Sequence, residues 1–274
     1  MRPFACFALL ALAASRLFAL DPGKALTQYA HRIWGQEQGL FQPTIYSILQ
    51  TRDGFLWLGT QDSLIRFDGV QFREFQNPGS GVFHDALIRT LLQDQEGNLW
   101  VGSIGAGLGK IGPDGVFTHF DSENGFASDT VVCLDSGAGG QIFACTTAGL
   151  ASFANGKFHF YTTADGLPSN QIRATCVAGS TRWVAGIDFG LATWDGTRFH
   201  SFSDRFLKPG DRTTALACGA DGTVWAGTNA GLLEIRSGNS RLLSTRDGLP
   251  DTAISSLLNT PDGSLWVGTN DGIT

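Results

Sequence analysis

Short apolar runs alternate with polar, glycine-bearing turns along almost the whole chain, and six of the runs share one phrase. These are Leu56-Trp57-Leu58-Gly59-Thr60, Leu99-Trp100-Val101-Gly102-Ser103, Ile142-Phe143-Ala144-Cys145-Thr146, Trp183-Val184-Ala185-Gly186, Val224-Trp225-Ala226-Gly227-Thr228 and Leu265-Trp266-Val267-Gly268-Thr269. Successive aromatics stand 43, 43, 40, 42 and 41 residues apart. That period fits a four-stranded unit.

Each unit reads as four strands. Strand a is an apolar run such as Ile45–Leu49, Ile88–Leu92 or Ile254–Leu258. A turn with Asp53-Gly54, Glu96-Gly97, Asp221-Gly222 or Asp262-Gly263 follows, where glycine accepts the positive φ of a tight hairpin. Strand b is the shared phrase. Strand c often ends in Asp-Gly or Asn-Gly, as at Asp68-Gly69, Asp114-Gly115 and Asp195-Gly196, and strand d carries paired aromatics such as Phe117 and Phe120. The sequence therefore predicts an all-β β-propeller of four-stranded blades, with six repeat units visible in an incomplete seven-bladed ring.

Large aromatics on strand b fill the wedge between sheets, and the glycine two positions later lets the next sheet approach closely. Ser47, Thr90, Cys133, Ala174, Ala215 and Ser256 form an equivalent small column in strand a, which the pattern assigns to the crowded axis.

Composition agrees: 42% of the 274 residues are hydrophobic, 36 are glycine, and a single methionine occurs. The net charge is −6 without a basic, aromatic-interleaved stripe, so nucleic acid is not an expected partner. Arg2, the apolar run Phe4–Ala14 and the small residues up to Ala19 read as an export signal over residues 1–19, leaving a propeller over 20–274 in the periplasm or another extracytoplasmic space. Cys133, Cys145, Cys176 and Cys218 replace small or apolar residues of neighbouring repeats and are expected to be buried thiols rather than a disulfide framework. Their spacing matches no zinc motif.

The run Trp34-Gly-Gln-Glu-Gln-Gly39-Leu40, with Ile45 through Thr60 and Leu64-Ile-Arg-Phe67-Asp68-Gly69-Val-Gln-Phe72, resembles the two-component regulator propeller repeats. Asp165-Gly166-Leu167-Pro168 and Asp247-Gly248-Leu249-Pro250 repeat that signature, so the resemblance runs from about residue 25 to the end. It implies the periplasmic sensor region of a hybrid histidine kinase or diguanylate cyclase, with seven-bladed propellers, a small-molecule or oligosaccharide ligand, signalling domains in a longer chain, and a dimer as an option for the full receptor. The chain ends where strand c of the sixth unit is expected, which reads as a fragment, and Leu26–Trp34 is placed as the outer strand of a closing blade.

Catalytic chemistry is sparse. His31, His84, His119, His159 and His200 lack the spacing of a metal site, no Gly-x-Ser-x-Gly is present, and no cofactor is implied. An Asp box of the sialidase type is matched only in its second half, because Asp53 and Asp94 are displaced from the required position. The expectation is a non-enzymatic binding module whose recognition loops include Gly39, Leu40, Gly166, Leu167, Gly248 and Leu249. The alternative is a glycosidase- or lyase-like propeller enzyme with its site at the channel mouth.

Overall fold

The computed structural model describes residues 32–76, 81–208, 211–260 and 262–274. The export segment, His31 and most of the expected closing strand at 26–34 lie outside them. Five sheets have four strands and the sixth has three, each an antiparallel meander in chain order. The first comprises β1 (Ile45–Gln50), β2 (Leu56–Thr60), β3 (Leu64–Phe67) and β4 (Phe72–Glu74). The second is β5 (Leu87–Gln93), β6 (Leu99–Ile104), β7 (Leu108–Ile111) and β8 (Phe117–Phe120), and the third is β9 (Val131–Ser136), β10 (Ile142–Thr146), β11 (Gly149–Ala154) and β12 (Lys157–Tyr161). The fourth is β13 (Ile172–Ala178), β14 (Thr181–Gly186), β15 (Gly190–Trp194) and β16 (Phe199–Phe202). The fifth is β17 (Thr213–Cys218), β18 (Val224–Thr228), β19 (Leu232–Arg236) and β20 (Asn239–Leu243), and the sixth is β21 (Ile254–Asn259), β22 (Leu265–Thr269) and β23 (Gly272–Ile273). The sixth unit thus does begin its strand c, as the two-residue β23.

The hydrophobic core is a series of seams between consecutive blades. Trp57 packs with Ile88, Leu99 and Val101 of the second blade, Trp100 with Val131 and Ile142 of the third, and Trp183 with Val224 and Leu233 of the fifth. Each blade's aromatic therefore faces the blade that follows. Trp266 has no described blade ahead of it and is 36% exposed, whereas Trp100 is 1% exposed. Its strand neighbour Leu258 is 60% exposed, and on the opposite side of the first blade Ile48 is 63% exposed. The equivalent positions inside the array are covered by the neighbouring sheet.

The small column does not face the axis. Ser47, Thr90, Cys133, Ala174, Ala215 and Ser256 lie opposite Gly59, Gly102, Cys145, Ala185, Gly227 and Gly268 of strand b in the register of each blade. A Cβ on Gly102 would stand 2.7 Å from Val131 Cγ1 of the next blade, and one on Gly227 would stand 2.6 Å from Ile254 Cγ2. Two small residues facing each other across the ladder create the hollow into which the next inner strand's Ile or Val inserts.

The cysteines also depart from expectation, since they form two disulfides, Cys133–Cys145 and Cys176–Cys218. Cys133 and Cys145 occupy that same pair of facing small positions in the third blade, with Cα atoms 4.9 Å apart. Cys176 and Cys218 belong to inner strands of the adjacent fourth and fifth blades, 5.8 Å apart at Cα. Both separations suit a disulfide. Comparing each cysteine with its equivalents along the repeat leaves out these cross-strand and cross-blade approaches.

A polar seam joins the third and fourth blades. Arg182, 6% exposed, stands where other units carry Leu, Ile or Val before the aromatic. Its guanidinium donates to Asp135 Oδ2 at 2.6 Å and Thr175 Oγ1 at 3.0 Å, and its Cζ lies 3.5 Å from the centre of the Phe143 ring. Burial pushes the Asp135 carboxyl above its ordinary range, opposed by the attraction of Arg182.

Candidate functional site

The innermost strands β1, β5, β9, β13, β17 and β21 stand side by side, and each contains a β-bulge at the same place. In every blade the ladder skips one residue: Tyr46, Arg89, Val132, Arg173, Thr214 or Ser255. A bulge releases one residue from the strict alternation of faces and re-aims its side chain. The six bulges lie near the start of strand a, so they sit at one end of the axis, beside the loops that connect strand d of one blade to strand a of the next.

Those connecting loops are built by a repeated local device. Thr162 and Ser244 cap the 3-10 turns Thr163–Asp165 and Thr245–Asp247, accepting the amide N–H of Ala164 and Arg246, while the carboxylates of Asp165 and Asp247 accept the cap residues' own N–H. Gln38 performs the same service for Gly35 before Gly39. Gly39, Gly166 and Gly248 close these turns with φ near 90°, 92° and 102°, a left-handed conformation that glycine adopts without penalty. The leucines that follow turn inward: Leu40 and Leu167 are buried, and Leu249 is half-buried against the fifth and sixth blades. The six residues singled out in the sequence thus position the mouth loops, and what they offer outward is backbone.

The b–c turns meet the same end and are tied to the connecting loops. Gly105 and Gly107 donate their N–H groups to Asp129 O, Ser128 and Thr147 share a hydroxyl hydrogen bond of 3.0 Å, Ser169 Oγ donates to Asp188 at 2.7 Å, and Gln42 pairs with Asp62. In five of the six blades a hydroxyl at the end of strand b braces the b–c turn. Thr60, Ser103, Thr146, Thr228 and Thr269 each donate a hydroxyl to a carbonyl across the turn and accept a backbone N–H in return. This gives the Trp-x-Gly-Thr threonine a structural role that periodicity alone does not reveal.

Three arginines occupy the mouth. Arg89 and Arg173 are bulge residues, and Arg212 immediately precedes β17. The Arg89 guanidinium lies 5.7 Å from the centre of the Tyr46 ring, which joins the bulges of the first two blades. The Arg173 guanidinium is held below its usual range by burial first and then by the positive charges of Arg89 and Arg212. None of the three forms an ion pair with a carboxylate among the described residues. These residues carry no motif, and only the position they share across repeats could have marked them.

The other end of the axis differs in character. Clefts of about 450 and 530 Å³ lie there between the first and second and the second and third blades. They are walled by hairpin turns such as Thr51, Asp53 and Gly112–Gly115, or Ala138–Gln141. Their polar groups are already engaged: Asp94 accepts from Asn98 and from the Trp100 indole at 2.8 Å, and Arg66 stacks on Phe55. The displaced Asp94 therefore locks the a–b hairpin. His119 bonds Ala106 O and approaches Asp121, and His200 pairs with Asp195 at 2.7 Å, all near the outer strands. Among the described residues no group of three His, Cys, Asp or Glu is placed to hold a metal.

Comparison with known proteins places these features. The family model for the two component regulator propeller matches residues 39–62, 83–105 and 248–271, each a connecting loop running into strands a and b or the equivalent stretch. Three stretches of the chain thus match this repeat. Among solved structures, the extracellular domain of a protein described as a hybrid two component system from B. thetaiotaomicron superposes with a TM-score of 0.75 at 23% identity, over 88% of this chain and 34% of that one. A second extracellular domain from B. thetaiotaomicron, of a protein described as a one component system, gives 0.58 at 17% identity over 84% and 38%. Virginiamycin B lyase from Staphylococcus aureus gives 0.65 at 14% identity over 84% and 83%. At these identities the likeness shows the propeller fold. The chain spans about a third of the length of the two-component relatives' domains. No curated protein matches the sequence.

Proposed function

We propose that this propeller is an extracytoplasmic sensor module that binds a small-molecule ligand at the axial mouth and passes occupancy to signalling domains in a longer chain. The observation that carries this reading is the bulge repeated in all six inner strands at one end of the axis, which releases one residue per blade from the strand alternation beside loops that are fastened to each other. Loops and re-aimed residues on a rigid scaffold are where recognition is placed. The repeat family and the likeness to extracellular domains of two-component proteins support the sensor role.

Two further elements belong to this reading. The exposed faces at Ile48 and at Leu258 and Trp266 support a seventh sheet between the sixth blade and the first. Both disulfides support an oxidising compartment and hence export through residues 1–19. The lyase-like alternative rests on fold alone.

The test is a thermal-shift and calorimetry screen of the 274-residue chain against oligosaccharides and small metabolites, run beside glycosidase, lyase and esterase substrates. A saturable ligand without turnover supports the sensor. Turnover abolished by one substitution that leaves folding intact contradicts it.

A further inference from the structure

We propose that the axial mouth is a site for small organic anions, held by the guanidinium groups of Arg89, Arg173 and Arg212 beside the ring of Tyr46. This deepens the sensor reading and rests on it.

The chain is acidic overall, with 19 Lys and Arg against 25 Asp and Glu, and elsewhere its buried arginine is matched, as Arg182 is by Asp135. Around Arg173 the pattern differs. Arg173 is half-buried on a bulge, and its surroundings include Arg89 and Arg212, with no carboxylate paired to any of the three among the described residues. Bringing like charges together in a partly desolvated place costs free energy. With no carboxylate paired to them among the described residues, these guanidinium groups are open to a counter-charge supplied from outside. Guanidinium groups present paired N–H donors that match the oxygens of a carboxylate, sulfate or phosphate. Tyr46 adds an apolar ring beside Arg89, on which the organic part of such a ligand can rest.

The bulges explain why these residues converge. Without them, strict alternation would turn Arg89 and Arg173 to the face opposite Ile88 and Ile172, into the seam with the following blade. With them, both arginines stand at the released position, near the same end of inner strands that lie side by side.

The probes are a galacturonate trisaccharide for carboxylate, a sulfated disaccharide for sulfate ester and an inositol phosphate for phosphate, with maltotriose as the neutral control. Titration calorimetry of the 274-residue chain should show at least one acidic probe binding at least tenfold tighter than maltotriose, with affinity falling as salt rises. R89Q and R173Q should each weaken that probe about ten- to a hundredfold. R236Q removes the same charge from the Asp221 pair at the other end and should leave binding unchanged. Neither R89Q nor R173Q should lower the melting temperature of the free protein, and the acidic probe should raise it only in the parent and in R236Q. Equal affinity for acidic and neutral probes, or equal loss in R236Q, overturns the proposal. A neutral ligand bound in the mouth and indifferent to R89Q and R173Q overturns the anion assignment while the sensor reading stands, whereas a ligand mapped to the far end overturns both.

Discussion

At the scale of single residues, the same side-chain type does opposite things depending on what surrounds it. Arg182 and Arg173 sit in the inner layers of one blade, yet the first is enclosed with Asp135 and Phe143 and the second faces other arginines. Removing one partner of the enclosed pair leaves an uncompensated charge. Arg182→Leu should therefore cost about 3–5 kcal/mol in urea unfolding, while the double change with Asp135→Leu should recover most of it. Additive losses in that cycle would contradict a coupled pair. Asp195 gives a second case. Its carboxyl is held well below the usual range mainly by the N–H of Arg198, then by that of Thr197 and by His200. Because the folded pKa is depressed, the stabilisation is present above the ordinary aspartate pKa and is lost as pH falls toward the folded value. Carboxyl-carbon NMR should find Asp195 ionised to lower pH than an ordinary aspartate, and His200→Ala should leave most of the depression in place. None of this was legible along the sequence. Arg182 reads as one polar residue in an apolar column, and only the cross-blade partner gives it meaning.

At the scale of the element, the strands were legible because a 40- to 43-residue repeat averages out local ambiguity. The aromatic on strand b and the small residue two places on fixed which strand packs where. Trp100→Ala should open a cavity in the seam between the second and third blades and cost about 3–5 kcal/mol, whereas exposed His159→Ala on the outer strand should change stability by about half a kcal/mol or less. Urea melts decide between them, and comparable losses would invert the assignment of inner and outer strands. The disulfides were not legible, because a strand pattern reports neighbours along the repeat and says nothing of which inner strands touch. Cys176–Cys218 closes a 42-residue separation, so Cys176→Ala with Cys218→Ala should lower stability by about 4 kcal/mol on a chain-entropy basis. Intact-mass analysis before and after alkylation should detect two bridges in the exported protein. Four free thiols would contradict the pairing.

At the scale of the whole molecule, the six blades place every connecting loop and every bulge at one end of the axis. They place the a–b and c–d hairpin turns, and the clefts that these turns wall, at the other. The candidate loop residues named from sequence do fall at the first end, but as turn glycines and inward leucines, while the bulged arginines Arg89 and Arg173 beside them belong to no motif. The asymmetry of the two ends is the central claim, and hydrogen exchange measured by mass spectrometry with and without a ligand from the binding screen tests it most directly. Ligand should slow exchange in segments 86–92, 169–176 and 211–217, which meet at the mouth. Protection confined to the hairpins at 51–55, 94–98 and 137–141 would put the site at the opposite end and contradict the account.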